Sequence, residues 1–358
     1  QERFFLPEAM QTAGELAAES MVLLKNDGVL PLRGVTRIAV VGPLAKNPSD
    51  LRGNWHAHTQ PEEVDVFLDG IVREFPEAQV RYAQGCDVPA ESRDGFAEAV
   101  ALARDSDVVI YCMGEMQNWS GENTSRSSIA LPRGQEALLE ALKATGKPVV
   151  VTLTNGRALE IPRVDELADA IVETWQPGVN GASALAGILS GRINPSGKLS
   201  VTFPWATGQI PIYYDRHKSG RRGTQGVYKD ITSDPLYAFG YGLSYTQYVY
   251  GEPRVVGTAS LSRPFTVEVD VRNAGEVDGK EAVLWFVSDP YCSVLTRPER
   301  ELKYFEKKPI AAGAVETFRF EVDPARDLGY LDAQGRYFVE PGEFHILVGD
   351  KDLKLDLR

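Results

Sequence analysis

Three stretches of the chain are apolar and largely β-branched without alternation: 38–41 (IAVV), 108–112 (VVIYC) and 149–153 (VVVTL). Such runs are expected of parallel strands covered on both faces. Residues 170–175 (AIVETW) read as a further strand and 80–83 as a short one. Between them the period lengthens. Phe96, Ala99, Val100 and Ala103 place residues 94–105 on an amphipathic helix. Leu138, Leu139 and Leu142 do the same for a helix with Pro132 near its start. Residues 63–74 and 181–190 are helical in pattern, and Leu16, Ala17, Val22, Leu23 and Leu24 predict a helix over 11–24. This alternation predicts an α/β domain, a mainly parallel sheet covered on both faces, over residues 1–215.

Residues 216–250 are rich in Pro, Gly, Tyr and charge with little periodicity, and read as a connecting loop region. Beyond them the period drops to two. Phe265, Val267, Val269 and Val271 face one way and Thr266, Glu268, Asp270 and Arg272 the other. Short runs at 283–287, 318–322 and 344–348 continue the style, so residues 251–358 predict an immunoglobulin-like β-sandwich.

The 358 residues carry 38 Lys and Arg against 50 Asp and Glu, a net charge of −12. That balance argues against nucleic acid or an anionic membrane as partner. No apolar run approaches the length of a bilayer span. No signal peptide is visible, yet Gln1 is not an initiator Met, so the natural N-terminus lies outside the sequence on this reading. The three cysteines, Cys86, Cys112 and Cys292, are too scattered for a disulfide framework or a zinc site, and Cys112 reads as a core residue.

Nucleotide signatures fail. The stretch 191–198 (GRINPSGK) lacks the Ser or Thr after Lys198, and Gly42 stands alone after the first strand. His56 and His58 lack further visible ligands, so no metal is expected, and no Gly-x-Ser-x-Gly elbow occurs. The loop after 108–112 is different. It holds Glu115, Trp119, Glu122 and Arg126 where ligands of open α/β sheets sit, at the carboxyl end of a strand. Two carboxylates there are either solvated acids or a helix-capping network with Arg126, or else serve a reaction that needs a proton donor, such as glycoside cleavage.

Ordered motifs along the whole chain carry a resemblance. They include 19–27 (ESMVLLKND), 38–43 (IAVVGP), Gly53-Asn54-Trp55 and Gly114-Glu115. Ser120-Gly121-Glu122 with Ser125-Arg126, Leu131-Pro132 and Gln135 follow. Then come Asn155-Gly156-Arg157, Trp175-Gln176-Pro177-Gly178, 194–199 (NPSGKL), Gln209-Ile210-Pro211 and 239–246 (FGYGLSYT). Together they resemble the C-terminal part of glycoside hydrolase family 3, of the bacterial periplasmic β-glucosidase type. The last hundred residues are similar to that family's fibronectin type III-like domain.

The resemblance implies a retaining, exo-acting β-glycosidase that removes terminal non-reducing β-D-glycosyl residues without a cofactor. By motif position the general acid/base falls on Glu122, and Glu115 takes a structural or supporting position. Trp55 and Trp119 are candidates for an aromatic wall that binds substrate, with core packing the alternative for Trp55. Arg126 either binds a substrate hydroxyl or holds Glu122. The family's nucleophile is an aspartate on an N-terminal (β/α)8 barrel. Only about ten residues precede the first helix here, so the barrel is expected in cis on a longer chain or as a separate chain. Similar enzymes often have Thr-Asp where this chain has Ser127-Ser128, so any orienting role of that Asp must be met otherwise. The resemblance implies a periplasmic or secreted location, a β-glycoside or oligosaccharide substrate and no membrane insertion, and leaves a homodimer open. A non-catalytic carbohydrate-binding or scaffolding module is the alternative.

Overall fold

A computed structural model describes residues 5–217 and 228–358. Part of the 216–250 connecting region therefore lies outside the described residues. The chain divides into two compact units, one of residues up to Ile210 with Asp234–Tyr245, the other of Pro211–Ser233 with Thr246–Arg358.

The first unit is built on six strands: β1 Val22–Asn26, β2 Arg37–Val41, β3 Gln79–Ala83, β4 Val108–Gly114, β5 Val149–Thr154 and β6 Ala170–Glu173. Their order is β1-β6-β5-β4-β2-β3. All neighbours run parallel except β1, which pairs antiparallel with β6 at one edge. Among the described residues seven helices cover the sheet: α1 Pro7–Ser20, α2 Pro48–Arg52, α3 Phe67–Glu74, α4 Phe96–Arg104, α5 Arg133–Lys143, α6 Pro162–Leu167 and α7 Gly181–Ser190.

Alternate residues of β4 show why its sequence is apolar throughout. Val109, Tyr111 and Met113 enter the core beneath α4, α5 and α6, with Leu102, Leu138 and Val164. Val108, Ile110 and Cys112 enter the opposite core with Ala17 of α1, Phe67 of α3 and Leu185 of α7. Both faces of the strand are dry, as a doubly wound sheet requires. Burial pushes the Cys112 thiol up to about 12, so it packs as a neutral side chain.

The expected helix over 11–24 is corrected at its C-terminal end. The helix stops at Ser20, Met21 turns extended, and Val22–Asn26 is a strand. Val22 and Leu24 fill one core, Met21 and Leu23 the other. An apolar run buried on both faces carries no period, so helix and strand look alike in sequence. The short helices α2 and α6 also escape the periodicity, because five or six residues hold barely more than a turn.

In the second unit β7 Tyr248–Tyr250, β8 Arg254–Val256, β9 Phe265–Asn273, β10 Gly279–Ser288, β11 Glu301–Ile310 and β12 Val315–Val322 come first. A short ribbon of β13 Tyr330–Leu331 and β14 Tyr337–Phe338 follows, then β15 Gly342–Val348 and β16 Lys351–Leu357. The two main sheets are β11-β10-β15-β16 and β12-β9-β7, with β8 also on β9. Trp285, Phe318, Phe320 and Phe344 are buried in one core, which defines a β-sandwich.

Candidate active site

Strand order turns at one place. From β2 the chain goes to β3 on one side and, through β4, to the other side. A crevice at the carboxyl ends of strands flanking such a switch point is where open α/β sheets bind ligands. Two long loops border it here: one follows β2 and carries Trp55, the other follows β4 and carries Glu115, Trp119, Glu122 and Arg126.

The β4 strand end is pinned first. The buried side chain of Gln135, near the start of α5, accepts from the Gly114 amide at 2.9 Å and donates to the Gly114 carbonyl at 2.9 Å. Glu115 follows at once and is buried, 3% exposed. Its Oε1 accepts from Arg126 Nη1 and its Oε2 from Arg157 Nε, both at 3.2 Å. Burial pushes the Glu115 carboxyl up from its ordinary value, against the pull of the Arg157 and Arg126 guanidiniums. Arg157 also donates through Nη2 to the carbonyl of Trp119. The Arg126 guanidinium lies over the Trp119 ring, 4.3 Å from its centroid, in cation–π contact.

Further contacts tie the two loops down. Gln117 donates its backbone N–H to Asp50 in α2 at 2.8 Å. Gln176, just after β6, donates to Ser120 Oγ at 3.2 Å and accepts from the Asn54 backbone N–H at 3.4 Å. Asn54 and Gly121 pack so closely that a Cβ on Gly121 would stand 1.9 Å from Asn54 Nδ2, and Gly121 has a φ of +106°. Only glycine satisfies both demands. A Cβ on Gly156 would similarly meet Ser120 Oγ at 2.1 Å. Trp55 and Glu122 are the next residues after the contacting pair Asn54 and Gly121, so the two loops present them from adjoining backbone.

Glu122 sits at the tip, in a turn closed by Thr124, which donates from its hydroxyl to the Gly121 carbonyl at 2.7 Å. It is exposed, with no hydrogen bond or ion pair among the described residues. Trp55 is 72% exposed, which overturns core packing as its role. Trp119 is half-buried against the core beneath α3 and α7. His56 and His58 lie beside Trp55, and among the described residues no group of three His, Cys, Asp or Glu is arranged to hold a metal ion.

Arg126 is corrected: it holds Glu115, not Glu122. Its Nε donates to the Ser128 carbonyl at 3.1 Å, so a main-chain oxygen orients it where similar enzymes often place an aspartate. Arg157, Gln176, Asn54 and Glu173 were not singled out as site residues from sequence. Asn54, Arg157 and Gln176 lie in motifs that carry the family resemblance, and Glu173 ends a strand, but nothing local in the sequence shows that they meet. Glu173 ends β6 fully buried, accepting from the Trp175 N–H at 2.7 Å and Asn155 Nδ2 at 3.1 Å. Burial pushes its carboxyl up to about 8.

The fold is a doubly wound α/β domain whose switch-point loops carry Trp55 and Glu122, followed by a β-sandwich. The "Glycosyl hydrolase family 3 C-terminal domain" matches residues 21–245 and the "Fibronectin type III-like domain" residues 281–352. The chain belongs to glycosyl hydrolase family 3. It is 37% identical to a periplasmic beta-glucosidase of Salmonella typhimurium, over 94% of this chain and 48% of the relative. It is 36% identical to a beta-xylosidase of Formosa agariphila, over 98% of this chain and 50% of the relative. A beta-glucosidase from Listeria innocua, solved in complex with isofagomine, superposes with a TM-score of 0.92 at 33% identity, covering 100% of this chain and 51% of that one. The chain thus spans about half the length of the relatives it matches.

Proposed function

We propose that this chain is the C-terminal portion of a retaining, exo-acting β-glycosidase of β-glucosidase type, with Glu122 as general acid/base. The nucleophilic aspartate lies on a (β/α)8 barrel, in cis or on a separate chain. The observation that carries the reading is the contrast among three carboxylates at the carboxyl edge of the sheet. Glu115 and Glu173 are buried and bonded, whereas Glu122 is exposed at a loop tip and unpartnered among the described residues.

In the first step the barrel carboxylate attacks the anomeric carbon while Glu122 gives its proton to the glycosidic oxygen. The bond to the leaving group breaks and an alcohol departs. In the second, the Glu122 carboxylate takes a proton from water. The water oxygen bonds to the anomeric carbon, and the barrel carboxylate is released. Glu122 is exposed in this unit, so substrate and barrel would have to exclude water around it. Trp55 offers its exposed aromatic face to the leaving-group sugar, while Arg126 covers one face of Trp119. Arg126 shapes the loop through Glu115 and Trp119. The substrate is a β-glycoside or oligosaccharide, and the Salmonella relative's name supports a periplasmic or secreted location.

The test is Glu122→Ala in the chain joined to its barrel. A sugar alkoxide needs protonation to leave and a dinitrophenolate does not. kcat/KM on cellobiose should fall by about 10²–10⁴-fold, and far less on a dinitrophenyl glucoside. Azide, which needs no base, should restore turnover of the activated substrate and yield a β-glycosyl azide. Equal loss on both substrates with no rescue would place the acid elsewhere.

A further inference from the structure

We infer that Arg157 is a positioning residue for Glu122, an inference that rests on the reading of Glu122 as acid/base. Arg157 stands in the turn after β5, 42 residues along the chain from Glu115, and its side chain is largely covered. One guanidinium serves two points of the β4 loop: the Glu115 carboxylate where the loop leaves the strand, and the Trp119 carbonyl four residues on. Holding both sets the path between them, and so where Ser120-Gly121-Glu122 begins.

Arg126 closes the circuit from the far side. It takes the other Glu115 oxygen and covers the Trp119 ring. Glu115 therefore carries a guanidinium on each oxygen, and Trp119 one on its carbonyl and one on its face. Glu122 lies in the span between Trp119 and Arg126, both clamped, although among the described residues no hydrogen bond or ion pair of its own holds it. The turn that supplies Arg157 is itself fixed. Asn155 ties it on two sides: its N–H donates to the Trp175 carbonyl at 3.2 Å and its Nδ2 to the Arg157 carbonyl at 2.8 Å. Gly156 lets Ser120 approach to a distance that any side chain would block.

A clamp of this kind acts on proton transfer and not on the barrel carboxylate. Its loss should therefore mimic loss of Glu122, skewed by leaving group, and should not slow all substrates alike. The experiment compares Arg157→Lys and Arg157→Ala with Glu122→Ala, each in the chain joined to its barrel. Lysine keeps a charge beside Glu115 but lacks the planar fork that reaches two acceptors at once, so it guards against a variant that fails to fold. The expected result for Arg157→Lys is a loss of kcat/KM on the order of 10²-fold on cellobiose, the effect of a misplaced catalytic group. On a dinitrophenyl glucoside the loss should stay within about threefold, because that leaving group needs no acid. Amide hydrogen exchange across 116–126 should quicken. Equal losses on the two substrates, or none, in a folded Arg157→Lys protein overturn the inference. Unchanged exchange across 116–126 in that protein overturns it also, whereas a Glu122→Ala protein that lacks the skew sinks the acid/base reading itself.

Discussion

Gln176 and Ser120 join through a 3.2 Å hydrogen bond from Nε2 to Oγ, and the same amide accepts the Asn54 N–H at 3.4 Å. One side chain from the turn after β6 thus braces both loops that border the crevice. Gln176→Ala removes both bonds and leaves Ser120, itself buried, with one partner fewer. The expected cost is about 1–2 kcal/mol, the worth of one or two such bonds. Urea denaturation should read this, and limited proteolysis should show faster cutting in both 54–60 and 115–126. Faster cutting in one segment alone would mean that Gln176 does not couple them.

Glu173 predicts a pH dependence whose sign follows from its burial. Its carboxyl is pushed up to about 8 from an ordinary value of 4.5. Between these the folded chain keeps a proton that the unfolded chain releases. Stability should therefore fall as pH rises from about 4.5 to about 8, by at most about 1.4 kcal/mol per pH unit from this group, then level off. Glu173→Gln, which cannot ionise, should flatten that slope. Denaturation midpoints at pH 6 and 8.5 for the two proteins check it, and an unchanged slope in the variant would show that Glu173 is not its source.

The chain by itself should hydrolyse no aryl β-glycoside. Retaining cleavage needs two carboxyl groups about 5–5.5 Å apart across the sugar. At the carboxyl edge of the sheet Glu115 and Glu173 are buried and engaged, so neither is offered to a sugar beside Glu122. Purified chain should give no nitrophenol above buffer. Turnover that vanishes in Glu122→Gln would overturn this.

Sequence alone determined the layers. Unbroken apolar runs such as 149–153 mark strands covered on both faces, and the alternation from Phe265 to Val271 marks a sandwich strand, because burial on two faces or one leaves its period in the residues. Motif order likewise pointed to the loop of Glu115 and Glu122. The same logic failed at Val22–Asn26, where an apolar run without a period could be helix or strand until β6 took it as a neighbour. It also passed over Lys351–Leu357, although Leu353, Leu355 and Leu357 alternate there with charged residues.

Partnership within the site was decided by tertiary structure alone. Arg126 stands four residues from Glu122 and 11 from Glu115, and nearness in sequence favours the wrong acid. Burial settles the matter: a carboxylate 3% exposed at a strand end must be neutralised, whereas one at a loop tip is solvated by water. Arg157 and Gln176 reach the loop from the ends of β5 and β6 only because parallel pairing brings those ends to one edge of the sheet. No local pattern encodes contacts that depend on how distant strands align.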